Sequence, residues 1–286
     1  MMSNDAIQKR LGTIENLPTL PIVLRQVQRI MDSPNSNMNQ IAAVVAKDQA
    51  LASKTIRLVN SAYYGLRTRI PSICQAIVIL GLNTLYNLML GLSVVKTFDT
   101  SRLLGFDPQK FWEHCFGTAL LSKKLAEKTG YSDPEECFIA GLLHDMGRLV
   151  LQQFLNNEFE QALLKSESDK KTLFLMEREV IGFDHSQVGM WLAEKWNLPE
   201  MLKVVLRYHH EPKMLPGELA RYSQVLSIIA YANYQCSVAS IGNSGDNEYH
   251  EPALPGLKLP PESICKKLTE EVKVEIVSVI AQWTQN

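Results

Sequence analysis

The sequence predicts an all-α protein, a bundle of many helices with an N-terminal helical part. Three observations carry this. Apolar residues recur at three- and four-residue spacing along most of the chain, and clean alternation of the strand type is scarce. Start and stop signals for helices bound those periodic segments. The chain has 286 residues and is 46% hydrophobic. That is enough for one large domain or two tightly packed ones.

Leu17-Pro18-Thr19-Leu20-Pro21 is an extended lead-in, followed by an amphipathic helix over Ile22 to Met31. The stretch Asp32 to Asn39 has turn chemistry, and Asn39 is the expected cap of a helix over Gln40 to Lys47. The next helix, Leu51 to Ser61, places Leu51, Thr55, Leu58 and Val59 on one face, and Tyr63-Tyr64-Gly65 ends it. Asn60 is suited to tying down that turn. Two apolar helices follow, Ile73 to Leu80 and Leu82 to Phe98. No charge occurs between Arg69 and Lys96, a length that could span a bilayer. Pro71, Gln75, Asn83, Thr84 and Asn87 would be costly in lipid, so a buried helix pair broken near Gly81 is expected, with no membrane partner.

Ser101 to Pro108 is a connector, and Phe111 to Thr129 is a helix closed by Gly130. Asp133-Pro134-Glu135-Glu136 combines a cap, a first-turn proline and acids facing the helix dipole. The helix it starts is expected to run to about Phe154. Further helices are expected at Glu158–Ser166, Thr172–Ile181, His185–Trp196, Pro199–His209 and Glu218–Gln235. Trp191, Leu192 and Trp196 read as core. Ser237 to Pro261 is rich in Ser, Gly, Asn and Pro and reads as a long mobile loop before a last amphipathic helix, Pro261 to Trp283. The expected division is 1–105, an N-terminal helical part; 106–236, the part with the histidines; and 237–286, a loop and helix packing back.

Lys+Arg number 29 and Asp+Glu 30, a net charge of −1. That balance argues against a nucleic-acid or anionic-membrane binder. Lys123-Lys124 and Lys266-Lys267 read as solvated helix faces. Five cysteines with no Cys-x-x-Cys pair indicate reduced thiols of a cytoplasmic protein, not a disulfide framework or a cysteine zinc site. Met1 to Arg10 is polar and has no apolar signal core.

Chemistry concentrates in the histidines. His144-Asp145 sits inside an apolar run, Ala140-Gly141-Leu142-Leu143, and burying both groups without a partner would cost several kcal/mol. Adjacent residues of a helix point about 100° apart. Both can reach one ion only if it lies against the helix flank between them. His209-His210 repeats the device; His114 lies mid-helix and His185 opens one. Imidazole with carboxylate suits Fe, Mn, Zn or Ni better than Ca or Mg.

The order His114, His144-Asp145, His185, His209-His210 resembles the ligand order of HD-superfamily metal phosphohydrolases, especially the HD-GYP branch. The N-terminal half is similar to the HDOD signature more narrowly: Leu17-Pro18-Thr19-Leu20-Pro21, Lys47-Asp48-Gln49-Ala50-Leu51, Arg57 to Gly65, and Ile73 to Ile77 before Leu80-Gly81. The resemblance implies an HD-like bundle and a centre of one or two divalent transition-metal ions held by His114, His144, Asp145, His185, His209, His210 and Asn233. Asn233 stands where the HD pattern has a carboxylate, and Arg148 where HD-GYP enzymes have a lysine. The Gly-Tyr-Pro element is absent; Glu211-Pro212-Lys213-Met214 follows His210. Arginine can hold a phosphate oxygen but cannot donate a proton. With Asp145 the one clear carboxylate, two cations would need it as a bridge.

Two functions follow from the resemblance. One is a signal-transduction module with a partly degenerate metal site, read by a signalling partner and holding a nucleotide-like or phosphate ligand. The other is a metal-dependent phosphohydrolase in which Asp145 and Arg148 are catalytic.

Overall fold

The computed structural model describes residues 9–14, 17–34, 37–61, 63–98 and 107–284. Most of the Ser101–Pro108 connector and of the Met1–Arg10 terminus lies outside them. Among the described residues the regular structure is entirely helical, as the periodicity predicts. The chain divides into two compact units, one of Met1–Leu17 and Thr100–Val277, the other of Pro18–Asp99 and Ser278–Asn286.

The smaller unit is built from α1 (Ile22–Met31), α2 (Met38–Val45), α3 (Gln49–Val59), α4 (Ile73–Leu80) and α5 (Leu82–Thr97). The cap of α2 is Asn37, not Asn39: its Oδ1 accepts from the backbone of Asn39 at 2.7 Å and Gln40 at 3.4 Å. The helix therefore starts a residue or two earlier than the composition suggests. Asp48 caps α3, and the predicted apolar face of Leu51, Thr55, Leu58 and Val59 is buried. Asn60 closes the turn, accepting from Ile70 N at 2.7 Å and donating to the carbonyls of Ile70 and Ile56, each at 2.8 Å. The uncharged run is two helices bent by 119°. Gly81, at φ +83°, makes that corner, a conformation costly for any other residue. Residues 84–94 of α5 are buried throughout. No single described helix is long and apolar enough to cross a membrane.

The larger unit contains α6 (Pro108–Thr129), α7 (Pro134–Leu143), α8 (Met146–Phe154), α9 (Asn156–Asp169), α10 (Leu173–Val180), α11 (His185–Lys195), α12 (Glu200–Tyr208) and α13 (Ser223–Val238). The last helix, α14, covers Glu262–Thr284. Asp107 caps α6 and Gly130 ends it in the left-handed region. The helix expected from Glu218 opens instead as a 3₁₀ segment, Gly217–Tyr222, and α13 starts at Ser223; a separate 3₁₀ turn, Pro212–Met214, precedes it. The helix expected to run unbroken from Asp133 to Phe154 is two helices: Asp145 leaves helical geometry at φ −101° and ψ 9°.

Close backbone approach fixes the core. A Cβ on Gly141 of α7 would lie 2.8 Å from Ala119 Cα of α6. One on Gly147 of α8 would lie 1.9 Å from the His185 carbonyl oxygen of α11. The Ser237–Pro261 segment is irregular but packed, contrary to the mobile loop expected. Ile241, Ser244 and Asp246 are buried, and Asn243 N bonds Lys110 O of α6 at 2.9 Å. Its low hydrophobicity misleads because its polar groups are satisfied by the helices beneath it.

Candidate metal centre

The break between α7 and α8 is what makes the site. In a continuous helix His144 and Asp145 would diverge; with the break, both turn to one point. His144 fixes its ring by donating from Nδ1 to Gly141 O at 2.6 Å, which leaves the Nε2 lone pair facing inward. His209, at the C-terminal end of α12, does the same from Nδ1 to Val205 O and Leu206 O, both at 3.1 Å. His185 is the first residue of α11, held by a capping box between Asp184 and Gln187. His114 comes from α6 and Asn233 from α13.

Asp145 lies between two sets of ligand-type atoms. Its Oδ1 is 3.2 Å from His185 Nε2 and 3.5 Å from His209 Nε2. Its Oδ2 is 3.4 Å from His144 Nε2 and 4.0 Å from His114 Nε2. His210 Nε2 is 2.8 Å from His185 Nε2, and Asn233 Oδ1 is 2.8 Å from His114 Nε2. The donor atoms fall into two groups that share Asp145: Asp145, His185, His209 and His210, and His114, His144 and Asp145. All seven predicted ligand residues thus come together, and His250, the sixth histidine, does not.

Burial and orphaned atoms test whether a metal fits. His114, His144, Asp145, His185 and His209 are 0–1% exposed. Neither Asp145 oxygen has a hydrogen-bond partner, nor do His144 Nε2 and His209 Nε2. Unmet acceptors in an apolar interior are costly. His185 Nε2 and His210 Nε2 face each other at 2.8 Å, hydrogen-bonded here and spaced as two cis ligands of one metal would be, roughly 3 Å apart for bonds of about 2.1 Å. The donor set of imidazoles and one carboxylate suits a divalent transition metal.

The titration of the cluster is uneven. Burial holds His144 down, to about 3, and lowers His114. His210 falls well below its ordinary range through burial and the neighbouring His209 and His185. Burial also opposes charge on His185, but Glu177 and Asp145 outweigh it together and raise the ring to about 9. Asp145 is buried too, yet Arg148 and the surrounding histidines keep it well below the ordinary carboxylate range.

Three residues frame this centre. Glu177 of α10 is fully buried and accepts from His185 Nδ1 at 2.6 Å and His185 N at 2.8 Å. Arg148 is fully enclosed, its Nη1 3.2 Å from Asp145 Oδ2 and its Nη2 3.6 Å from Asp246 Oδ2. Asp246 also accepts from Leu173 N at 2.6 Å, tying the packed segment to the start of α10. Glu177 and Asp246 do not stand out in the sequence by motif. Glu177 leaves one signal: it is a lone carboxylate on the face that Leu173 and Met176 bury.

One side of the cluster is open. A pocket of about 360 Å³ is lined by His209, His210 and Asn233 on the cluster side and by Phe174, Lys213 and Tyr249 among others. Phe174 stacks on His210 with ring centroids 4.5 Å apart. Arg178 lies over Phe174 and pairs with Asp184 and Glu211, bracing that wall.

Comparison with known proteins gives a consistent picture. A Treponema pallidum protein of uncharacterized function is 28% identical over 228 residues, which is 77% of this chain and 42% of that protein. The chain therefore spans less than half the length of that relative. The crystal structure of an HDOD domain protein of unknown function from Geobacter sulfurreducens matches at 24% identity and a TM-score of 0.75, over 99% of this chain and 97% of that one. A Shewanella amazonensis structure matches at 24% identity and a TM-score of 0.70, over 96% and 97%. These two show the fold. The HDOD domain family model matches residues 17–212, from the Leu-Pro lead-in to just past the paired histidines, and the chain belongs to that family.

Proposed function

We propose that the protein is a signal-transduction module built on a metal centre that Asp145 and the surrounding histidines would hold, with a phosphate-bearing ligand as its input. The carrying observation is the division of Asp145: one oxygen faces His185 and His209, the other His144 and His114. His210 completes the first set and Asn233 the second. An Fe, Mn, Zn or Ni ion, one or two per chain, suits these donors. Asn233 brings no charge, so the set with His114 and His144 is the weaker.

Charge explains why such a centre takes an anion. Two divalent ions would meet one coordinating carboxylate, and Arg148 adds a positive charge beside it. The imbalance is met by a ligand entering the open pocket over His209 and His210. When bound, the metal supplies water activation and neutralises phosphate charge. Arg148 works from behind: it is enclosed between Asp145 and Asp246, so it orients the bridging carboxylate and does not touch the pocket ligand. Known structures support both readings of the fold. The Shewanella amazonensis protein is named as an inferred phosphohydrolase, and one from Marinobacter aquaeolei, 21% identical with a TM-score of 0.72, as an inferred signal-transduction protein.

The second reading, hydrolysis of a phosphate ester, is favoured by one observation: the five histidines and Asp145 all face the cluster beneath an open pocket. Metal analysis of protein purified without chelator, followed by a panel of phosphomonoesters and phosphodiesters with Mn or Fe added, separates the readings. Bound metal without turnover supports the module. Turnover abolished by Asp145→Ala supports the hydrolase. Absence of metal under every loading condition overturns both.

A further inference from the structure

The smaller unit contains a cleft of about 760 Å³, lined entirely by its own residues. Its size lies within the range of small-molecule sites. Two arginines, Arg57 from α3 and Arg69 from the loop before α4, border it, and no carboxylate does. For a chain with a net charge of −1, two cations around a cavity free of acids is a local bias. Arginine on such a wall matches the geometry of phosphate oxygens.

The floor adds polar groups without partners. Ser61 Oγ and Gln282 Oε1 are buried atoms with no hydrogen bond, and both residues line the cleft. A serine hydroxyl can donate to an anion, whereas an amide oxygen needs a donor such as a ligand hydroxyl. Ser53 and Ser72 add two more hydroxyls, the latter at the N-terminal end of α4, where backbone N–H groups favour negative charge. Ala52, Ile56, Pro71 and Ile73 supply an apolar wall. The rigid frame is Asn60, whose side chain is fully committed to the backbone of Ile56 and Ile70 and so holds α3 against the loop bearing Arg69.

We propose that this cleft binds a small phosphorylated molecule of about nucleotide size, with its phosphate at Arg57 and Arg69 and a hydroxyl-bearing part over Ser61 and Gln282. The site is separate from the His/Asp cluster and does not depend on metal. It makes the residues Arg57 to Ser61 of the N-terminal signature a recognition element as well as a helix end.

The test is calorimetric titration of ADP, ribose 5-phosphate and inorganic pyrophosphate into the full chain carrying Asp145→Ala and treated with chelator, so that the metal cluster contributes nothing. Binding of ADP or ribose 5-phosphate that weakens at least about tenfold in Arg69→Gln, and again in Arg57→Gln/Arg69→Gln, supports the proposal, provided the melting temperature is unchanged. Ser61→Ala offers a milder variant that spares both charges, and a severalfold loss is expected. Affinity equal in all variants overturns the proposal. So does an absence of ADP and ribose 5-phosphate binding up to millimolar concentration, or binding confined to pyrophosphate.

Discussion

Glu177 shows how one uncoordinated carboxylate sets the behaviour of the cluster. By accepting from His185 Nδ1 it aims Nε2 toward Asp145, and with Asp145 it lifts the ring to about 9 against burial. Glu177→Gln keeps the shape but removes the charge. The expected result is a His185 titration shifted downward, followed by NMR of the imidazole, and a metal affinity about 10- to 100-fold weaker. A metal ligand must be neutral, so loading metal below pH 9 expels the His185 proton. Affinity should rise about tenfold per pH unit between pH 7 and 9, with proton release visible by calorimetry in two buffers of different ionisation enthalpy. Metal-free stability follows different signs. The His185 contribution is complete below the unfolded value near 6.5 and is lost as pH rises through about 9. His144, held at about 3, acts oppositely: its stabilisation is present above about 6.5 and lost as pH falls toward 3, because the unfolded chain takes up the proton first. A metal-free protein with a stability maximum between those limits, in denaturant melts across pH, meets both expectations; a flat profile contradicts them.

Elements bring the residues together through two glycine contacts that ordinary side chains forbid. Gly147→Ala places a Cβ 1.9 Å from the His185 carbonyl oxygen, where only backbone can move. The helices α8 and α11 must part, and with them Asp145 and His185. A loss of about 2 kcal/mol or more in chemical denaturation, together with loss of bound metal, is expected. Gly189→Ala is the control: its nearest neighbour is Leu206 Cδ2 at 3.0 Å, the end of a flexible side chain. Its cost should stay below about 1 kcal/mol with metal retained. The sequence carried the identity of these elements well, because the cap at Asp133, the stop at Gly130 and the 3.6-residue apolar period are local signals. It did not carry the break at His144-Asp145. Nothing local ends a helix there; the interruption is held by Gly141 O accepting from His144 and by the packing of α8 on α11.

At the scale of the whole molecule the seven candidate ligand residues were legible as residue types in order along the chain, since polar groups in apolar runs demand a partner. Their framing was not. Glu177 and Asp246 are 69 positions apart, by subtraction of their numbers, and the second lies in a segment whose composition resembles a loop. Only the assembled fold shows that both serve one cluster. Because metal would bind the folded chain and not the unfolded one, removal by chelator should lower the melting temperature reversibly. Readdition of Mn, Fe or Zn at a hundred times its dissociation constant should restore about 2.7 kcal/mol. The Asp145→Asn variant should show no such response.

Arg148 leaves a last consequence. Its guanidinium is buried and pairs with Asp145 through Nη1 and with Asp246 through Nη2. A buried cation with two counter-ions shares its field between them. Were Asp246 removed, as in Asp246→Asn, Arg148 would keep Asp145 as its remaining close counter-ion. The packed segment after α13 thereby supplies, through Asp246, part of the counter-charge of the cation that lies against Asp145.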